Sequence, residues 1–239
     1  MKQRIQKVLA DAGVAGRRSV EEMIFAGRIS VNGEVVMSVP CFVDTRSDKI
    51  TIDGEPVRIK APPRVYFLLN KPKNVASIRR QDIKTVYDLI PRVVGLVHCV
   101  GPLNSSDSGL IIMTTDGELA QLLTHPSYGI EKTYRIEVEG KVQGPAIEKL
   151  QRGTYMGRYR TEGAHVRIVR RNPQRSVIKV TLAEGKNREI RRVLKRVGLN
   201  ILSLKRVAFG PVDDSNLKTG QFRKLSSEEV TKLRAAVRR

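Results

Sequence analysis

The chain has 239 residues, enough for one large domain or two unequal ones, and its 40% hydrophobic content is that of a folded protein. A net charge of +20 and a pI near 10.4 put polyanions, RNA or DNA, first among partners. No leader-like apolar segment, membrane-length apolar run or lipidation motif appears, and Cys41, Cys99 and three histidines lack metal-ligand spacing, so a cytoplasmic protein with no membrane partner and no metal is expected.

Residues 2–13 read as an amphipathic helix, with Ile5, Val8, Leu9 and Ala12 on one face, Lys2, Arg4 and Lys7 on the other, and Gly13 as its stop. A basic turn, residues 14–19, carries Arg17 and Arg18. Ser19 with Glu22 forms a capping-box pattern for a second helix through Phe25, ended by Gly27. Arg28 then opens a short strand leading to the Asn32-Gly33 hairpin signal, and Ile50 to Gly54 repeats that strand-and-turn pattern. This succession resembles the small RNA-binding domain of the ribosomal protein S-four type. The resemblance implies that a helix end bearing Arg17 and Arg18 meets RNA phosphates, with Arg4, Lys7 and Arg28 on the same small domain. The domain is placed at residues 1–60, followed by a stiff Pro-Pro linker at 61–64 and a larger domain at 65–239.

Residues 65–70 are expected to form a strand, closed by a turn in which Lys71 is a candidate phosphate contact and Asn74 takes a left-handed backbone. Residues 85–90 read as a short helix or turn before Pro91. The central stretch, residues 100–117, is VGPLNSSDSGLIIMTTDG: a polar loop between Gly101 and Gly109, an apolar strand, and a turn at Asp116-Gly117. A helix over 118–124 follows, with Leu119, Leu122 and Leu123 inward. Then come His125-Pro126 and Lys132-Thr-Tyr134, which enter a strand. Pro145 marks another helix start, and residues 153–182 alternate as strands with a basic face. Residues 184–194, EGKNREIRRVL, begin a helix with Ile190, Val193, Leu194 and Val197 inward and Lys186, Arg188, Arg192 and Lys195 outward. Residues 202–211 read LSLKRVAFGP, and Ser226 or Ser227 caps a last helix.

Together these motifs resemble RNA pseudouridine synthases of the RsuA/RluB/RluF kind. The family loop is G-R-L-D-x-x-T/S-x-G-L, and its Asp is the essential carboxylate. Here Pro102 replaces the Arg, Asn104 the Asp and Asp107 the Thr/Ser. The resemblance places Tyr134 on the family's active-site tyrosine, Arg191 on the cation that faces the catalytic Asp, and Leu204 near the pocket leucine. It implies an α+β fold with a mixed, mostly antiparallel sheet in the larger domain, no cofactor or metal, and a monomer that binds structured RNA, ribosomal RNA or an assembly intermediate. The family reaction detaches uracil from ribose and rejoins it through carbon, while an aromatic ring such as Tyr134 holds the flipped base.

Breaking the bond at the anomeric carbon needs a carboxylate, and the Asn104 amide is neutral. Its presence is expected to leave Arg191 without a counter-charge. Two readings follow from the sequence: a family member that retains RNA binding with its catalysis lost, in which Asp107 is a loop or RNA-facing polar residue or a partial partner for Arg191, or a working synthase in which Asp107 substitutes. A DNA-binding regulator lacks the helix-turn-helix pattern it would need.

Overall fold

The computed structural model describes residues 2–57, 59, 63–93, 96–157, 159–183, 187–214 and 216–237, and for 187–189 the helical backbone only. It divides into two compact units, one of residues 1–65 with 92–98 and 115–117, the other of 66–91, 99–114 and 118–239. Ala61 and Pro62, half of the expected linker, lie outside the described residues.

In the first unit, β1 (Gln3–Arg4) leads into α1 (Ile5–Asp11) and α2 (Arg17–Phe25), followed by β2 (Ile29–Val31), β3 (Glu34–Val35), β4 (Phe42–Val43), β5 (Ile50–Ile52) and β6 (Glu55–Pro56). The first helix starts later than the periodicity suggests, because Gln3 and Arg4 pair as a strand with Val43 and Phe42. The second starts earlier. Gly16 is its N-cap, so Ser19 lies inside the helix and does not cap it. Arg17 and Arg18 are therefore first-turn residues. Both hairpin signals hold: Asn32 and Gly33 have φ of 53° and 90°, and Asp53 and Gly54 have 51° and 83°, the positive pairs a type I′ turn requires. The sheet runs β3-β2-β5-β6, and Ile5, Leu9, Val20, Ile24, Ile29 and Ile50 form the core.

The second unit is built on β7 (Tyr66–Lys71), β8 (His98–Val100), β9 (Ser108–Thr114), β10 (Lys132–Glu139), β11 (His165–Arg170), β12 (Arg175–Leu182), β13 (Ile201–Phe209), β14 (Val212–Asp213) and β15 (Phe222–Lys224), with α3 (Gly117–Thr124), α4 (Gly144–Arg152), α5 (Asn187–Arg196) and α6 (Ser227–Ala235). The main sheet order is β11-β12-β10-β13-β9-β7-β15, with β14 beside β13 and β8 beside β9. Along that order the pairs are antiparallel except β9 with β13, which run parallel through Ser108 with Lys205 and Gly109 with Arg206. The fold is thus α+β with a mostly antiparallel sheet. Leu68, Leu110, Ile112, Leu119, Leu123, Phe209 and Leu233 form one core. On the other arm of the sheet, Ile190, Val193 and Leu194 of α5 face Val180 and Leu182 of β12, with Leu150 of α4 beside them. Burial of that apolar stripe fixes the roll of α5 and so the direction of Arg191, one residue past Ile190.

Candidate functional site

The loop between β8 and β9 is tightly determined at both ends. Gly101 has φ of 67°, and a Cβ there would meet the Phe209 ring at 2.7 Å. Gly109 has φ of 113°, and its Cβ would fall 2.2 Å from the Arg206 carbonyl oxygen. The parallel approach of β9 to β13 leaves no room for a side chain there. A second segment, residues 71–77, holds the loop from the side. The Ser77 hydroxyl donates to the Leu103 carbonyl at 2.8 Å and accepts from the Leu103 amide at 3.0 Å. Asn74, left-handed at φ of 62°, donates its amide to the Ser105 carbonyl at 2.8 Å. The tip itself closes where the Asp107 amide donates to the Asn104 carbonyl at 3.1 Å.

This brings Asn104, Asp107 and Arg191 together. The Asn104 Nδ2 donates to Asp107 Oδ2 at 3.1 Å. Arg191 Nε donates to Asp107 Oδ1 and Oδ2 at 2.9 and 3.2 Å, and Nη2 makes a further short contact with Oδ1. The Asp107 side chain is 3% exposed and that of Arg191 is 32% exposed. Arg191 is therefore not left without a counter-charge. Asp107 takes the place that an Asp at 104 was expected to fill, since three residues of a closed turn bring the two side chains side by side. Beyond Arg191 a groove is lined by Lys195, Gly198, Leu199, Asn200 and Ile201.

Lys71 does not reach toward phosphate. It is wholly buried, and its ammonium donates to the carbonyls of Pro72 at 2.9 Å, Val75 at 2.8 Å and Ser105 at 3.4 Å. Burial lowers its pKa to about 8, against an opposing pull from Asp107. Tyr134 pairs in register with Arg206 on one side and Val180 on the other, and is 1% exposed, so its ring lies inside the unit. Burial raises its hydroxyl pKa, with Arg206 opposing. Leu204, 1% exposed, pairs with Ile136 two residues from Arg206.

Among the residues expected to meet RNA, Arg192 and Lys195 are exposed on α5. Lys186 lies outside the described residues, as does the side chain of Arg188. In the first unit Arg4, Lys7, Arg17 and Arg18 are exposed, whereas Arg28 is held in a bidentate pair with Asp53. Among the described residues no group of three His, Cys, Asp or Glu side chains is placed to hold a metal ion.

Two site residues escaped the sequence reading. Arg206 is wholly buried; its Nε donates to the Leu110 carbonyl at 2.6 Å and its Nη2 to the Gly101 carbonyl. Lys132, 2% exposed, has its ammonium 5.2 Å from the Phe209 ring and a pKa lowered to about 8, by burial first and Arg206 second. The signal was the alternation itself. Arg206 is in phase with buried Leu204, and Lys132 with Tyr134, Ile136 and Val138, so each cation occupies an inward position.

The family profile of RNA pseudouridylate synthases matches residues 65–196, the stretch that holds the loop, Tyr134 and Arg191. The chain belongs to the RNA pseudouridine synthase family. The S4 domain profile matches residues 3–38 of this synthase-family chain. The ribosomal large subunit pseudouridine synthase B of Bacillus subtilis is 38% identical to it, over 98% of this chain and 96% of its own length. An uncharacterised RNA pseudouridine synthase of Aquifex aeolicus is 36% identical, over 99% and 96%. A crystal structure of a pseudouridylate synthase superposes with a TM-score of 0.70 at 25% identity, covering 96% of this chain and 99% of that one.

Proposed function

We propose that this synthase-family chain binds structured RNA, ribosomal RNA first, as a cytoplasmic monomer, and that its uridine-isomerising step is lost or greatly slowed. The observation that carries the reading is the state of the one carboxylate in the loop. Both oxygens of Asp107 are held by Arg191, one also accepts from Asn104, and the side chain is 3% exposed. Attack on an anomeric carbon needs a carboxylate oxygen that meets the sugar, and this one is buried three residues past the position of the family acid. A misplacement of about 1 Å already costs on the order of a hundredfold in rate. Position 104, where the family acid would stand, offers a neutral amide. Meanwhile the RNA-facing features persist: the S4-type unit with Arg17 and Arg18 exposed in a helix first turn, and Arg192 and Lys195 exposed on α5. Binding to a ribosomal assembly intermediate without turnover is the role these features support.

A second reading, an active synthase using Asp107, has one observation in its favour: Asp107 pairs with Arg191, the cation that faces the catalytic Asp in the family. Pseudouridine mapping of ribosomal RNA separates the two. Cells with the gene, without it, and complemented by the protein as it is, by Asp107→Ala or by Asn104→Asp with Asp107→Thr would be compared. The expected outcome is no site lost on deletion and a new site gained only with the double variant. A site restored by the protein as it is and lost with Asp107→Ala would establish the active synthase instead.

A further inference from the structure

The reverse face of the main sheet carries a row of cations that the site does not use. Arg167 of β11 stands directly opposite Lys179 of β12, Lys179 opposite Arg135 of β10, and Arg135 opposite Lys205 of β13. Directly opposed residues in antiparallel strands point to the same face, so four basic side chains cross four neighbouring strands in one line. At the usual strand spacing the line is roughly 14 Å long. It lies on the face away from Tyr134 and α5, because Tyr134 and Val180, one position along on their strands, are buried on the α5 side. Lys205 is paired with Asp214. Arg135, Arg167 and Lys179 are exposed, and among the described residues no carboxylate pairs with them. Glu137, two residues from Arg135 on the same strand face, is engaged by Arg175 and Ser203. On the other side of the row lie His165, Thr181 and Thr133, the two threonine hydroxyls 2.9 Å apart.

Like charges directly opposed on a sheet repel one another, and chains ordinarily interleave them with acids. Three uncompensated cations in register, starting at an edge strand, form instead a linear template for a regular array of negative charge. A nucleic-acid backbone supplies that array, with phosphates repeating every few ångströms, and it releases counter-ions on contact. An acidic protein surface would need matching carboxylates at strand spacing. We propose that this face is a second RNA-binding surface, which takes the phosphodiester backbone of an RNA helix other than the one that meets the Asp107–Arg191 site. The inference rests on the reading of the chain as an RNA binder.

The test is affinity for a folded ribosomal RNA fragment, measured by filter binding from roughly 50 to 200 mM salt, where phosphate contacts dominate the salt slope. The full chain, the triple variant Arg135→Gln/Arg167→Gln/Lys179→Gln and a site-side variant Arg192→Gln/Lys195→Gln would be compared. The triple variant is expected to lose about three from the salt slope and on the order of tenfold or more in affinity. Its thermal midpoint should be unchanged or higher, since repulsion across three strands is removed. Affinity and slope equal to those of the unaltered protein would overturn the second surface while leaving RNA binding intact. Absence of binding by the unaltered protein would overturn the RNA-binding reading, and this surface with it.

Discussion

An Asp at position 104 would lie beside Asp107, because the Asn104 amide nitrogen is 3.1 Å from an Asp107 oxygen. Two carboxylates would then share Arg191, and one of them would bind a proton at higher pH than usual. Asn104→Asp alone is therefore expected to be a poor enzyme below that raised pKa and to gain activity as pH rises through it. The double variant Asn104→Asp with Asp107→Thr leaves one acid on Arg191. It should exceed the single variant by on the order of tenfold at one pH unit below that raised pKa. Pseudouridine formation on a ribosomal RNA transcript, followed against pH, checks this, and equal profiles for the two variants would count against a shared cation. The loss of Asp at 104 was legible in the sequence. That Asp107 could partner Arg191 in part was among the roles the sequence allowed it; that the pairing would engage both oxygens was not legible, because it depends on the Asp107 amide closing onto the Asn104 carbonyl at 3.1 Å, a turn that no spacing rule specifies.

Elements defined by strong local chemistry were readable. Asn32-Gly33 and Asp53-Gly54 make their turns, and Ser226 with Glu229 caps α6. The amphipathic stripe of α5 buries Ile190, Val193 and Leu194 as its 3.6-residue period requires. Elements decided by distant partners were not. The expected helix from residue 2 gives up Gln3 and Arg4 to a strand pairing with residues some forty positions away, and the Ser19–Glu22 capping pattern is overridden by a helix that begins at Arg17. The parallel contact of β9 with β13 was likewise invisible, although Gly109 marked it. Substitution Gly109→Ala should lower stability by about 3 kcal/mol or more, since the new methyl meets Arg206 backbone at 2.2 Å and φ of 113° disfavours it as well. Chemical denaturation of the two proteins is the check, and a difference below roughly 1 kcal/mol would mean that β9 moves away from β13 easily.

Taken as a whole, the molecule places positive charge inside as well as outside. Composition announced the surface charge of +20. It could not announce that Lys71, Lys132 and Arg206 would be buried within the same unit. The buried lysines give a pH signature. Both have folded pKa values of about 8, below the ordinary 10.5, so below pH 8 both states hold the protons and the full cost of burying charge is present. Between pH 8 and 10.5 the unfolded chain holds more protons than the folded one, and stability rises with pH. Cys99, raised to about 12 by burial, works in the opposite direction above its ordinary value of 9. The gain is therefore clearest from pH 8 to 9, about 1 kcal/mol for each lysine. Urea unfolding at the two pH values should show it, and Lys132→Met should remove about half; a flat profile would exclude these lysines as its source. The third buried cation has a different consequence. The Arg206 guanidinium grips the Gly101 and Leu110 carbonyls, the two feet of the loop, so the loop is fastened at its ends and not at its tip. The loop is in effect a clamped holder: side chains at its tip can be exchanged while its backbone stays fastened at both feet and, through Leu103 and Ser105, along its flank.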